Sequence, residues 1–109
     1  IPYGFDPRTH ARYGDALELL DDIEAQLGSL DFDCALIGAG GLGIPLAARI
    51  KESGRVGISL GGHLQVIFGV HGERWLSRPE WRDLWLNDAW IGVPESYRPD
   101  PALTGEDYW

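Results

Sequence analysis

The hydrophobic positions of the chain change their spacing in an order that predicts helix, strand, helix and strand. Between Asp15 and Gly28, leucine and isoleucine recur at three- and four-residue intervals, which predicts an amphipathic helix over about 16–27. Asp15 is the expected N-cap of this helix, and Glu18 stands at the capping-box position. Residues 33–37 form a short apolar run, which predicts a buried strand.

A second helix and a second strand follow. The spacing predicts a helix over about 42–53, in which Pro45 is tolerated because it lies in the first turn. The apolar run at 56–60 predicts the next strand. Because a helix joins the two strands, we expect them to be parallel neighbours with a right-handed crossover. A short buried helix around 64–68, ended by Gly69, is expected after them.

The two ends of the chain and the tryptophan-rich region carry different patterns. Residues 1–14 contain proline and glycine without a hydrophobic period, so they are predicted to form an irregular lead-in. A Ser-x-x-Glu sequence at 77–80 has capping-box spacing and predicts a helix over about 78–87. Residues 89–93 are the predicted third strand. The proline-containing tail at 94–109 is expected to be extended.

Together these elements predict a single α/β domain, or a fragment of one, over residues 1–109. Its expected core is a Rossmann-like parallel sheet with flanking helices. Only two strong parallel strands are visible, whereas parallel sheets are normally wider and covered on both faces. The chain also begins at Ile1 and contains no Met, so we expect part of the gene product to be missing. We therefore expect a larger sheet, completed by a missing segment or by a second copy.

Charge and the lengths of the apolar runs argue against two classes of partner. With 17 acidic residues against 9 Lys and Arg, the formal net charge is −8, which opposes nucleic-acid binding. No apolar run approaches the ~20 residues that span a bilayer, so no membrane insertion is expected. A single cysteine, Cys34, fits a reducing compartment, and no signal-peptide pattern is present. These features favour a cytoplasmic location.

Two glycine-rich turns, one after each predicted strand, form the candidate binding site. The first matches Gly-x-Gly-x-x-Gly between a strand and a helix, and the second repeats the layout in shorter form. Glycine lets the backbone approach a ligand closely, and a helix N-terminus presents unpaired N–H groups to an anion. The glycines concerned are Gly38, Gly40, Gly41, Gly43, Gly61 and Gly62. The pattern predicts phosphate binding at both turns.

Three side chains complete the predicted site. His63 follows the second turn and is the candidate catalytic residue, because an imidazole contacts phosphate or moves a proton near neutral pH. Capping of a short helix is an equally weighted alternative for His63. Gln65 offers a neutral hydrogen bond. Arg74 is expected to supply countercharge to the diphosphate. It is the first of three arginines at four-residue spacing, followed by Arg78 and Arg82, which we call the arginine stripe. A solvent-exposed helix face is the favoured alternative for this stripe.

The tryptophans divide into two predicted groups. Trp81 and Trp85 share a helix face with Leu84, which favours core packing. Trp75 and Trp109 are the candidates for the rim of a ligand site.

The sequence is also compatible with two other functions, and it offers little support for a metal site. A dinucleotide-binding oxidoreductase module is one alternative, but residues 57–60 lack the acidic side chain that such sites use on the ribose. A non-catalytic binding or assembly domain is another, in which the glycines only permit close packing. Asp31 and Asp33 precede the first strand and so belong to the opposite end of the sheet, which leaves no metal ligands at the turns.

Several segments resemble the C-terminal part of GT-D-type glycosyltransferase domains. They are DCALIGAG at 33–40, LAARIK at 46–51, LGGHLQ at 60–65 and the closing Tyr108-Trp109. The resemblance covers about residues 15–75 and the end of the chain. It implies a Rossmann-like sheet that binds a nucleotide-sugar donor, with donor contacts around 38–43 and 61–63, and an acceptor that the sequence does not identify.

The resemblance also implies a divalent cation, Mn²⁺ or Mg²⁺, held by acidic residues. In this chain the Gly-His pair is followed by Gln65 and then by apolar residues, where acidic residues are expected. We therefore expect the cation to be bound outside this segment.

Overall fold

The computed structural model describes residues 7–95 as a mixture of helices and short parallel strands. The chain divides into two units, one ending at Leu64 and one beginning at Gln65, and each is described by itself below. The division falls inside the short helix α4 (His63–Ile67). No helix within residues 7–95 is long and apolar enough to cross a membrane.

The first unit opens with two helices, α1 (Pro7–Arg12) and α2 (Ala16–Gly28). The prediction of an irregular lead-in is wrong for α1, because proline at a first helical position fixes a helical φ and loses no hydrogen bond there. The rest of that predicted lead-in, residues 1–6, lies outside the described residues.

The start of α2 is capped as its sequence predicts. The Asp15 carboxylate accepts hydrogen bonds from the N–H groups of Leu17 at 2.8 Å and Glu18 at 2.9 Å. The Glu18 carboxylate in turn accepts from the N–H of Gly14 at 2.7 Å, one residue before the usual capping-box position. Two side chains thus satisfy three N–H groups around the first turn of the helix.

The strands β1 (Cys34–Ile37) and β2 (Val56–Ser59) form a two-stranded parallel sheet, as predicted. Between them lie a 3-10 turn (Gly40–Leu42) and the helix α3 (Gly43–Glu52), with Pro45 in its first turn. Cys34 pairs with Val56, and Ile37 pairs with Ser59. This strand, helix, strand unit is a mixed α/β arrangement around a small parallel sheet.

Two glycines let α3 lie close against this sheet. A Cβ atom on Gly57 would lie 2.8 Å from the Cα and 2.9 Å from the carbonyl oxygen of Ala47. A Cβ atom on Gly43 would collide with the hydroxyl of Ser59. Helix and strand therefore touch through backbone atoms, which leaves no room for a side chain at position 57.

Below that contact lies the hydrophobic core of the first unit. Its members come from α2, β1 and α3, and Ile23 is the most deeply buried at 2% exposure. The buried residues are Leu19, Leu20, Ile23, Ile37, Leu46 and Ile50. These contacts fix α2 and α3 on the same face of the sheet.

The other face of the sheet is exposed and apolar. Cys34 and Leu36 on β1 stand beside Val56 and Ile58 on β2, and the three aliphatic side chains are 41–55% exposed. The apolar sequences of β1 and β2 predict strands that are buried on both sides. This prediction is wrong for the side that carries Leu36, Val56 and Ile58. Alternate residues of the two strands face α3 on one side and solvent on the other.

In the second unit, β3 (Val70–His71) and β4 (Ile91–Gly92) form another parallel pair. Between them lie α5 (Glu73–Leu76) and α6 (Pro79–Trp85). The strand predicted at 89–93 is present in shorter form. Its partner β3 follows Gly69, which ends the preceding turn with a φ of +70°.

Three predictions for this region are wrong. The Ser77 side chain donates to the carbonyl of Arg74 at 3.2 Å and does not cap α6, whose N-cap is Arg78. Trp75, predicted at a ligand rim, is only 3% exposed and packs edge-to-face on Trp81 at 5.1 Å. Trp85, predicted in the core, is 59% exposed.

The helix predicted around 64–68 is also less buried than expected. Val66 is its buried residue, whereas Ile67 and Phe68 are exposed. Trp109 and residues 96–108 of the predicted tail lie outside the described residues.

Substitution of Gly57 by alanine tests the close contact between α3 and β2. We expect Gly57→Ala to lower the free energy of unfolding by about 1–3 kcal/mol, because the obstructing atoms belong to the helix backbone. The matched control is Gly28→Ala, where a Cβ atom meets nothing within 4 Å, and a change below about 0.5 kcal/mol is expected. Urea unfolding followed by circular dichroism measures both, and equal midpoints for the two variants would contradict the packing role.

The hydrogen bond from the Tyr13 hydroxyl to Asp22 makes stability depend on pH in a predictable direction. It lowers the pKa of Asp22 and raises the pKa of Tyr13. Its contribution is therefore lost as pH falls below about 3.9 towards the folded pKa of Asp22, and as pH rises above about 10.

We expect Tyr13→Phe to destabilise the fold at pH 7 and to have a smaller effect at both pH extremes. Urea midpoints of the wild type and the variant at pH 3, 7 and 10.5 measure this difference. A difference that stays constant across the three pH values would show that the hydrogen bond is not responsible.

Candidate functional site

The two glycine turns lie side by side at the carboxyl end of the β1–β2 sheet. The N–H groups of Leu60 and Gly61 both donate to the carbonyl oxygen of Ile37, at 2.9 and 3.2 Å. Both strands therefore end at the same edge of the sheet. We call residues 38–43 and 61–63 together the glycine edge.

Two glycines of this edge lie in close contact with neighbouring side chains. A Cβ atom on Gly38 would lie 2.9 Å from Leu64 Cδ2 and 3.2 Å from the carbonyl oxygen of Gly61. A Cβ atom on Gly43 would collide with the hydroxyl of Ser59. Leu64 thus occupies the space beside Gly38, directly between the two turns.

Three other glycines of the edge, Gly40, Gly41 and Gly61, face open space. Gly40 and Gly61 have φ values of +52° and +56°, which favour glycine over any residue with a side chain. No atom lies within 4 Å of a Cβ position on Gly40, Gly41 or Gly61. Gly41 has neither a positive φ nor a close neighbour, so no feature of the described fold requires glycine there.

Several N–H groups of the glycine edge are already used inside the chain. The N–H of Leu42 donates to Ala39, that of Gly43 to Gly40, and that of His63 to Leu60. With Gly61 bonded to Ile37, these four groups are not available to a ligand.

Five other N–H groups of the edge donate to no acceptor within residues 7–95. They belong to Gly38, Ala39, Gly40, Gly41 and Gly62. Gly38, Gly40 and Gly41 are exposed, and Ala39 and Gly62 are half-buried. The N-terminus of α3 follows, and its partial positive charge favours an anion nearby. An anion is the ligand that this arrangement suits.

His63 is exposed and is the first residue of α4. Its ring Nδ1 lies 3.3 Å from the carbonyl oxygen of Leu60, which places the imidazole against the second turn. Because this carbonyl belongs to the turn, the contact does not satisfy an N–H group at the start of α4. The capping role and the phosphate-contact role of His63 therefore both stay predictions.

Gln65 and Arg74 belong to the second unit, where both contact Trp75. The indole N–H of Trp75 donates to Gln65 Oε1 at 3.4 Å, and the Arg74 guanidinium lies 5.3 Å from the ring centroid. Within their own unit, both side chains therefore pack around a buried aromatic residue.

The predicted arginine stripe does not lie on one helix. Arg74 lies in α5, Arg78 is the N-cap of α6, and Arg82 lies in α6. Arg82 instead pairs with its neighbour Asp83, Nε to Oδ1, at 2.8 Å. This ion pair raises the pKa of Arg82 and lowers the pKa of Asp83. The arginine stripe is interrupted at Pro79, because this proline begins a new helix.

No three His, Cys, Asp or Glu side chains within residues 7–95 are close enough together to hold a metal ion. The described residues therefore do not fit the divalent cation that the sequence resemblance implies.

Ala39 in the glycine edge and Ser59 at the end of β2 are two residues near the candidate site that the sequence patterns did not single out. Ala39 contributes one of the unused N–H groups, and Ser59 places its hydroxyl where β2 meets α3. The position of Ala39 between two glycines of the motif is a sequence signal that could have indicated its place in the site. No sequence signal indicates Ser59, because its contact with Gly43 depends on how α3 packs on β2.

Comparisons with protein-family models, curated proteins and solved structures give no significant match to this chain.

Alanine substitutions at neighbouring positions separate the two kinds of glycine in the first turn. We expect Gly40→Ala to cost about 1–2 kcal/mol of stability, because its φ of +52° is unfavourable for a side chain. Gly41→Ala is the matched control and should change stability by less than about 0.5 kcal/mol. Thermal and urea unfolding measure both, and a larger loss for Gly41→Ala would overturn this assignment.

Proposed function

We propose that the glycine edge binds the diphosphate of a nucleotide, as the nucleotide-sugar-binding part of a GT-D-like glycosyltransferase. The observation that carries the proposal is the group of five unused N–H groups at the ends of two adjacent parallel strands. Ligands of open α/β proteins bind at this end of the strands. The Rossmann-like assignment of the sheet is part of the same proposal.

The charge of the chain makes backbone donors important for this proposal. The formal net charge is −8, so a diphosphate is repelled by the protein as a whole. Backbone N–H groups and the helix dipole provide positive potential without a basic side chain. The exposed Gly40 and Gly41 are the residues through which an anion would approach most closely.

The position of Leu64 restricts where the ligand would lie. Because its side chain packs beside Gly38, a diphosphate would bind on the outer, solvent side of the first turn. Its oxygens would meet the N–H groups around Gly40 and Gly41, with Gly62 at the neighbouring turn.

In a transferase, these N–H groups would stabilise the charge that develops on the leaving diphosphate. His63 would contact a phosphate oxygen or the acceptor hydroxyl from the second turn. No step is assigned to a metal ion, because the described residues do not supply its ligands.

A dinucleotide-binding module is the second candidate. One observation favours it, since Gly43 packs against β2 in the way that the third glycine of a dinucleotide fingerprint does. The end of β2, however, carries Ser59 and Leu60, which provide no carboxylate for a ribose.

Titration calorimetry with UDP tests the proposal, with uridine as the ligand that lacks phosphate. We expect UDP to bind and uridine to bind much more weakly. Gly41→Leu should reduce UDP affinity by at least about tenfold, a change of about 1.4 kcal/mol, because the side chain covers the unused N–H groups. Gly28→Leu is the matched control and should bind UDP as the wild type does.

Three outcomes would contradict the proposal. No binding of UDP or UDP-sugars with or without Mn²⁺ would exclude a donor site. Binding of NADH without UDP binding would favour the dinucleotide module. Full UDP affinity in a folded Gly41→Leu variant would show that the glycine edge is not the site.

A further inference from the structure

A separate cavity lies at the opposite end of the sheet, where β1 and β2 begin. Its volume is about 140 Å³, and it is a partly open cleft bordered by α2, α3 and the loops that enter the two strands. Four apolar residues and two arginines form most of its wall: Leu27, Phe32, Leu46, Ile50, Arg49 and Arg55. The cavity lies within the first unit, and none of its wall belongs to the glycine edge.

Arg55 provides this cavity with a cationic group that no carboxylate of the described residues neutralises. Its guanidinium lies over the ring of Phe32 at 4.4 Å, and Nη1 donates to the carbonyl oxygen of Leu27 at 3.3 Å. Within residues 7–95 it makes no ion pair with a carboxylate. A guanidinium has five N–H donors, so most of the donors of this half-buried group remain for a ligand.

The other charged groups in the wall neutralise one another. Arg49 contacts Asp21 at 2.5 Å and Glu24 at 2.9 Å, and Glu24 is the carboxylate that lines the cavity. The pKa of Arg49 is raised by these bonds, which keeps the group charged. Arg55 is therefore the charged residue of this wall that has no carboxylate partner among the described residues.

We propose that this cavity binds a small organic carboxylate with a flat apolar body. The aliphatic side chains of Leu27, Leu46 and Ile50 would surround the body. The carboxylate would accept paired hydrogen bonds from Arg55, in the fork geometry that arginine favours. A cavity of about 150 Å³ lined by apolar side chains accommodates benzene in another protein, so the size suits a single ring.

Benzoate is the probe, and benzamide is its neutral counterpart of nearly the same shape. We expect benzoate to produce saturable shifts in the ¹H–¹⁵N spectrum of the full chain at Leu27, Ser53 and Arg55. Benzamide should bind at least about tenfold more weakly, because it cannot form the charge-assisted pair with the guanidinium. The glycine edge should not shift, which separates this site from the proposed nucleotide site.

Two variants test the roles of charge and space. Arg55→Met keeps the apolar stem and removes the charge, and it should weaken benzoate binding about tenfold. Gly28→Leu adds a side chain at a lining position where a Cβ atom meets nothing within 4 Å, so it should fold normally and reduce binding of both probes. Urea midpoints of both variants check that they are folded.

The proposal is overturned if benzoate causes no saturable shift in the wild type. It is also overturned if benzamide binds equally well, or if both folded variants retain full benzoate affinity. Since the probe lacks phosphate and the wall lies away from the glycine edge, failure here leaves the nucleotide proposal unaffected.

Discussion

The direct contact between the backbone of α3 and that of β2 is the constraint on which the first unit depends. Because Gly57 has no side chain, the helix reaches the strand at Ala47, and Gly43 allows the same approach at the helix N-terminus. Leu46 and Ile50 then reach the core beside Ile37. The same contact places the start of α3 beside the glycine edge and its later turns beside the cavity, so one packing arrangement defines both candidate sites.

The glycine motif combines several physical roles that its sequence pattern does not distinguish. Gly38 and Gly43 lie close to neighbouring side chains, which favours a residue without a Cβ atom, whereas Gly40 is favoured as glycine by its positive φ. These requirements exist whether or not a ligand binds. Gly41 has neither requirement, so the functional argument depends more on Gly41 and the unused N–H groups than on the motif as a whole.

Sequence patterns predicted the first unit well because its signals are local. Caps and periodicity act within a few residues, and they located α2, β1, α3 and β2 to within about two residues, the usual limit for element ends. Tryptophan burial was predicted poorly, since Trp75 and Trp85 have similar neighbours in sequence and their exposure depends on tertiary contacts. The cavity at Arg55 was not predicted either, because it combines residues from two helices and two loops.

The open face of the β1–β2 sheet has a practical consequence. Cys34 is the only cysteine in the chain, and its exposed thiol stands on that face beside Val56. A fluorophore or spin label attached there would occupy one defined position without any prior mutagenesis. Its spectrum would report whether further polypeptide covers this side of the strands, and how closely.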